Sequence, residues 1–161
     1  MTRHRATVLG YDDLTVGDEW ESAGRTVTAA DVAAFAGLSG DFNPLHVDHA
    51  WAASEGPFGR PVAHGLLGLA LASGLASTAP RMDTLAFLAI LEWRFLLPIA
   101  FGDTVRTLAT VESIEPQARG RRAVVVWRRR LLNQDDRVVQ EGSIQTLVRA
   151  RTRLESDPPP A

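Results

Sequence analysis

The sequence has 161 residues, 45% of them hydrophobic and 22% charged, with a formal net charge of −2 and no cysteine. That is the size and composition of one globular domain, which buries roughly 70% of its unfolded surface without needing a disulfide or structural metal. It excludes disulfide and thiolate chemistry, and so balanced a charge argues against nucleic acid or an anionic membrane as partner.

Residues 1–10 are basic but carry no apolar run, so they do not read as a secretory signal, and a cytoplasmic location is expected. The longest apolar run, Gly65 to Ala72, is far short of the ~20 residues needed to span a bilayer. Residues 1–10 and 151–161, the latter ending on Pro158, Pro159 and Pro160, are expected to be flexible tails around a domain over 11–150. Residues 17–27 read as a first strand. Thr28-Ala-Ala-Asp31 has the spacing of a capping box with Asp in place of Glu. The helix it opens places Val32, Phe35 and Leu38 on one face, and Gly40 ends it.

Asp41 to Pro44 must then be a loop, because Pro44 drives Asn43 out of the helical region. Asp48 caps a second short helix through Trp51 and Ala52, and Glu55 to Pro61 is a surface loop broken by Gly and Pro. Residues 62–77 are apolar nearly all round, with small residues between the leucines, which predicts a buried helix. Four long runs follow, at 85–95, 104–114, 121–133 and 137–149, rich in Val, Ile, Leu, Trp and Thr and separated by turn residues. Antiparallel neighbours joined by short turns are expected. The plan is an α+β fold: one antiparallel sheet wrapped around a single long buried helix.

The segment Leu38-Ser-Gly-Asp-Phe-Asn-Pro-Leu-His46 carries the chemistry. On a continuous helix Asp41 and His46 would point about 140° apart. The break at Asn43-Pro44 lets the chain curl so that carboxylate and imidazole reach one water. Such a pair can take a proton from water and return one to carbon. Read singly, Asp41 could make only a turn bond and His46 could be a buried structural histidine.

Three segments together resemble the MaoC-like hydratase family: Ser39-Gly-Asp-Phe-Asn-Pro-Leu-His46, Arg60-Pro-Val-Ala-His-Gly-Leu-Leu67 and Phe95-Leu-Leu-Pro-Ile-Ala-Phe-Gly-Asp103. The resemblance implies a hot-dog fold, usually dimeric, with the active site near the subunit interface. It implies reversible hydration of trans-2-enoyl thioesters to (R)-3-hydroxyacyl thioesters. Asp41 and His46 match the catalytic pair and Asn43 the asparagine that supports their loop. Gly65 matches the position whose backbone N–H binds the thioester oxygen, and Ser73 a serine that lines the site in some members. His64, just before Gly65, reads as a supporting residue.

The substrate would carry coenzyme A or the phosphopantetheine of an acyl-carrier protein, and no other cofactor is expected. A homodimer or dimer of dimers is the expected assembly. A hot-dog acyl-thioesterase and a subunit of a heterodimeric dehydratase are the alternatives. The intact Asp41/Asn43/His46 set speaks against the thioesterase, and in a heterodimer it marks this chain as the active subunit.

Other clusters weigh less. His46, Asp48 and His49 crowd one short stretch, but a metal site needs three or four convergent ligands, so no metal is expected. No G-x-S-x-G elbow is present for a serine hydrolase. Arg119, Arg121, Arg122 and Arg128 to Arg130 are either a solvated edge or a contact for the phosphates of the carrier. Alternation sets Arg129 on the face opposite Arg128 and Arg130. Glu92 and Arg94 form an ion pair or point into the site.

Overall fold

The computed structural model describes residues 8–151. The expected flexibility of residues 1–7 and 152–161 lies outside the described residues. Leu9, Gly10 and Arg151, assigned to the tails by sequence, are held in place. The Leu9 N–H donates to Arg81 O at 2.9 Å, and the Arg151 N–H to the Asp12 carboxylate at 2.7 Å.

The expected first strand is two short ones, β1 (Glu19–Glu21) and β2 (Arg25–Thr26), both paired with β4 (Thr104–Gln117). The capping box forms as the spacing predicts: the Asp31 N–H donates to Thr28 Oγ1, and the Thr28 N–H to Asp31 Oδ2. Helix α1 (Ala29–Ser39) ends on Gly40 at φ 76°. Its core-facing residues are Val32 and Ala36. Leu38, expected on that face, is 84% exposed. Pro44 does not extend the loop but starts a short helix, α2 (Pro44–Val47), since a proline's missing N–H costs nothing at a first helical position. Asp48 caps α3 (His49–Ser54), its carboxylate accepting from the Trp51 N–H at 2.9 Å.

Helix α4 spans Gly65–Ala76, so residues 62–64 stay extended, with Val62 bridged to Ala100. The sheet wraps it in the hot-dog arrangement, in the order β1-β4-β5-β6-β3, with β3 at Thr84–Phe95, β5 at Arg122–Leu132 and β6 at Val138–Arg149. Two expectations are corrected. α4 is buried on one side only: Leu67, Leu71 and Ala72 face the sheet, whereas Leu66, Ala70 and Gly74 form an exposed strip. And β3 is not beside β4. It pairs with β6, because the segment after β3 crosses to the opposite side of the sheet, and this leaves β3 as an edge.

Alternation along β5 turns Ala123, Val125, Trp127, Arg129 and Leu131 inward. They meet α4 in two groups. Leu67, Leu71, Val105, Leu131 and Val139 surround its first half, and Ala76, Val111, Val125, Trp127 and Ile144 its end. Each fully buried side chain of this kind contributes about 1.5–3 kcal/mol. Outward, Arg128 bonds Glu92 at 2.7 Å and Glu141 at 2.9 Å, and Arg130 bonds Glu19 at 2.8 Å. Glu92 also meets Arg94 at 3.6 Å, so that pair lies on the outer surface of the sheet and not in the site.

Candidate active site

The site is assembled where the loop after α1 crosses the start of α4. Gly40 turns the chain, and Asp41 follows in a tight turn in which its Oδ1 accepts from the Asn43 N–H at 3.2 Å. Asn43 does the same one step later, its Oδ1 accepting from the Leu45 N–H at 2.9 Å and capping α2. The turn reading of Asp41 is therefore correct, and it leaves Oδ2 free. Two consecutive side-chain-to-backbone bonds thus curl residues 41–45.

His46, on α2, donates from Nδ1–H to Val62 O at 2.7 Å. A carbonyl can only accept, so the proton sits on Nδ1, and Nε2 carries a free lone pair. His64 donates from Nε2–H to Asp41 O at 2.9 Å. Its ring is fully buried, stacked on His46 with centroids 3.8 Å apart and against Phe35 of α1 at 5.0 Å. Phe35 thus serves the site and not only the core. A carboxylate oxygen of Asp41 and a ring nitrogen from each histidine lie within 4.8 Å of one another. The Asp41 carboxylate is 3.9 Å from His64 Nε2, too long for a hydrogen bond.

The Nε2 of His64 is committed to Asp41 O, while its Nδ1 is buried without a hydrogen-bond partner among the described residues. Asp48 and His49 are elsewhere: Asp48 caps α3, and His49 packs edge-on against Phe101 at 5.8 Å.

Gly65 is the first residue of α4, where N–H groups have no partner within the helix. Its N–H has none elsewhere among the described residues, and it faces the positive end of the helix dipole. Gly65 and His46 line the same cavity of about 280 Å³, walled by Leu45, Phe58, Phe95 and Leu97. A free lone pair and an unpartnered N–H therefore share one apolar pocket beside an exposed carboxylate. The arrangement can polarise a water at one end of a bound group and stabilise negative charge at the other.

Gln140 is a residue that sequence reading missed. It is 2% exposed and faces inward from β6. Its Nε2 donates to Gly65 O at 3.0 Å, and its Oε1 accepts from Trp93 Nε1 at 3.0 Å. It ties the start of α4 to the sheet, and Gly68 makes room for it, since a Cβ there would overlap the Gln140 amide. The available signal was an amide at an inward strand position opposite a glycine in a leucine-rich helix.

Ser73 is not with the others. It lies eight residues beyond Gly65, about 12 Å along the helix, and lines a second cavity of about 200 Å³ with Trp127, Arg129 and Thr146. Arg121 and Arg122 border a third cavity with Arg149 at the far end of the sheet.

Residues 14–130 match the family model described as "MaoC like domain". The chain is 32% identical to a 3-hydroxybutyryl-CoA dehydratase of Methylorubrum extorquens, over 94% of this chain and 90% of that one. It is 30% identical to an (R)-specific enoyl-CoA hydratase of Rhodospirillum rubrum, over 88% and 92%. The solved structure of an R-hydratase from Pseudomonas aeruginosa, unliganded, superposes with a TM-score of 0.71 at 29% identity, covering 96% of each chain.

Proposed function

The chain belongs to the MaoC-like dehydratase family and is a hydro-lyase, and from that premise we propose that it adds water reversibly to trans-2-enoyl thioesters with (R) stereochemistry. The observation that carries the reading is the shared pocket of His46 Nε2 and the Gly65 N–H beside the Asp41 carboxylate.

In this reading one water donates its two hydrogens to Asp41 Oδ2 and His46 Nε2. The pair takes one proton as the water oxygen bonds to C3. Electrons shift through C2 onto the thioester oxygen, where the Gly65 N–H meets the growing charge. The pair then returns the proton to C2 on the same face, so H and OH of water are both accounted for, and no cofactor beyond the thioester carrier takes part. Val62 O fixes the tautomer of His46, and the His64 ring holds Asp41 through its backbone carbonyl.

We read the working unit as a homodimer joined through β3. That strand is an unpaired sheet edge with Leu85, Phe87, Leu88, Ile90, Leu91 and Phe95 all at least 40% exposed. A bare apolar edge of this length is a template for pairing. Two copies of one edge related by a two-fold axis pair antiparallel. No helix among the described residues is long and apolar enough to cross a membrane.

The test is to mix the purified protein with crotonyl-CoA, follow enoyl absorbance and resolve the product by chiral analysis. Loss of absorbance with (R)-3-hydroxybutyryl-CoA as product is expected. Release of free thiol with the double bond intact would replace the reading with thioester hydrolysis. Activity only after a second, different subunit is added would replace the homodimer with a heterodimeric dehydratase.

A further inference from the structure

Arg129 stands in the inward row of β5, between Trp127 and Leu131, where every other side chain is apolar. It is 8% exposed, and its Nε and Nη1 have no hydrogen-bond partner among the described residues. Its outward neighbours differ: Arg128 and Arg130 each hold a carboxylate. The acids of this sheet are thus placed on the outer face, and none reaches Arg129. Burial pulls its guanidinium down to about 10, still well above neutral pH, so the group is charged.

The room at Gly142, opposite it on β6, is filled by Trp93 and Glu92 O, whereas the residue opposite it on β4 is small, Ala109, which leaves space beside the side chain. That space is the cavity of about 200 Å³ at the C-terminal end of α4. Ser73, Ser77, Thr84 and Thr146 line it with Arg129, and of these Ser77 spends its hydrogen on Gly74 O. Thr146 Oγ1 accepts from Trp127 Nε1 at 2.9 Å, so its own hydrogen is free to donate, and Ser73 has no protein partner among the described residues. Met82 and Phe87 supply apolar walls. A buried cation with hydroxyl donors, approached between apolar walls, is complementary to an anion at the end of a hydrocarbon chain.

We infer that this cavity binds a carboxylate, and that the acyl groups the protein takes include ω-carboxyacyl chains whose far end is held by Arg129. The inference rests on the hydratase reading above for the thioester end. The separation of Gly65 from Ser73, about 12 Å along α4, suits a chain of medium length.

The experiment compares 2-decenedioyl-CoA with 2-decenoyl-CoA in the wild type and in Arg129→Met, each shown folded by near-ultraviolet circular dichroism. The wild type is expected to favour the carboxylated substrate in kcat/KM, and that preference to fall roughly 10- to 100-fold in the variant, the range for a charged hydrogen bond. An unchanged preference in a folded variant overturns the inference.

A second arm needs no turnover. Adipate, and separately inorganic phosphate, is titrated while Tm is followed. Adipate is expected to raise the wild-type Tm and not that of Arg129→Met. If phosphate does so instead, or if adipate stabilises while the substrate preference stays flat, the cavity takes a free anion and the acyl assignment fails. If the variant does not fold, an unmoved wild-type Tm across the adipate series is enough to reject the site. If no thioester is hydrated but adipate binds through Arg129, the hydratase reading has failed and the carboxylate cavity has not.

Discussion

The two ends of α4 present opposite electrostatic designs. At its start, each ionisable side chain has a backbone partner (His46 with Val62 O, His64 with Asp41 O and Asp41 with the Asn43 N–H), and of the ring nitrogens only His64 Nδ1 is buried without one. At its end, a guanidinium is buried without any acceptor among the described residues. The first end holds its imidazoles in fixed orientations through backbone carbonyls. The second carries a charge the fold does not neutralise. Preorganisation costs little where backbone carbonyls do the orienting, whereas an unpaired buried charge lowers stability until something pairs it.

The contrast breaks most visibly at the start of α4. His46→Gln or Asp41→Asn should lower the hydration rate of crotonyl-CoA by about 10²–10⁴-fold. Urea unfolding should move little, since neither side chain is part of the core. A variant that kept its turnover would remove that residue from the mechanism. At the other end the sign reverses. Arg129→Met should raise unfolding free energy in the absence of ligand by about 1–4 kcal/mol, as replacing buried ionic groups with apolar ones does elsewhere. A large loss would mean that the guanidinium is already paired in solution.

Gln140 links the two designs, because it anchors the N-terminal end of the helix to the sheet that carries Arg129. Gln140→Leu leaves Trp93 Nε1 unpaired and removes the side-chain tie to Gly65 O, and should cost about 1–3 kcal/mol by denaturant unfolding. It should also weaken catalysis, by loosening the Gly65 N–H. Stability lost with kinetics intact would confine Gln140 to a packing role.

The smallest effect belongs to the entry to α1, which holds Phe35 under His64. Thr28→Ala should cost about 1 kcal/mol. Asp31 in the same box has its carboxyl held below the usual range, first by the Thr28 N–H, then by the Thr28 hydroxyl and nearby Arg25. A depressed folded value means this contribution is present above the unfolded pKa and is lost as pH falls through the folded one. The difference between wild type and Asp31→Asn should therefore shrink once the pH drops below about 4.

Local features were readable from sequence where one short segment contains the whole cause. The Thr28/Asp31 box, the Gly40 stop, the Asp48 cap and the curl at Asn43-Pro44 need no distant residue. What depends on strand order was not readable. Adjacent runs suggested that β3 lies beside β4, but its partner is β6, and with that register come the position of Gln140 under Gly65 and of Arg129 beside Gly142. Alternation did separate Arg129 from Arg128 and Arg130, but it could not say which face was the inner one. The all-apolar pattern of α4 suggested complete burial; the exposed strip at Leu66 shows that such a pattern also suits a helix with one side left open.

One contact has a consequence for how the polypeptide can be rearranged. Gly10 abuts the backbone of Arg151 so closely that a Cβ could not fit, and Leu9 is bridged to Met82 beside it. The two described extremities of the backbone are therefore neighbours. A circular permutant that joins them through a short glycine-serine linker, and opens at the exposed β5–β6 turn around Asp135, should recover the same thermal transition. The order in which the segments are translated would then be free to vary, while the sheet, the helix and both cavities stay where they are.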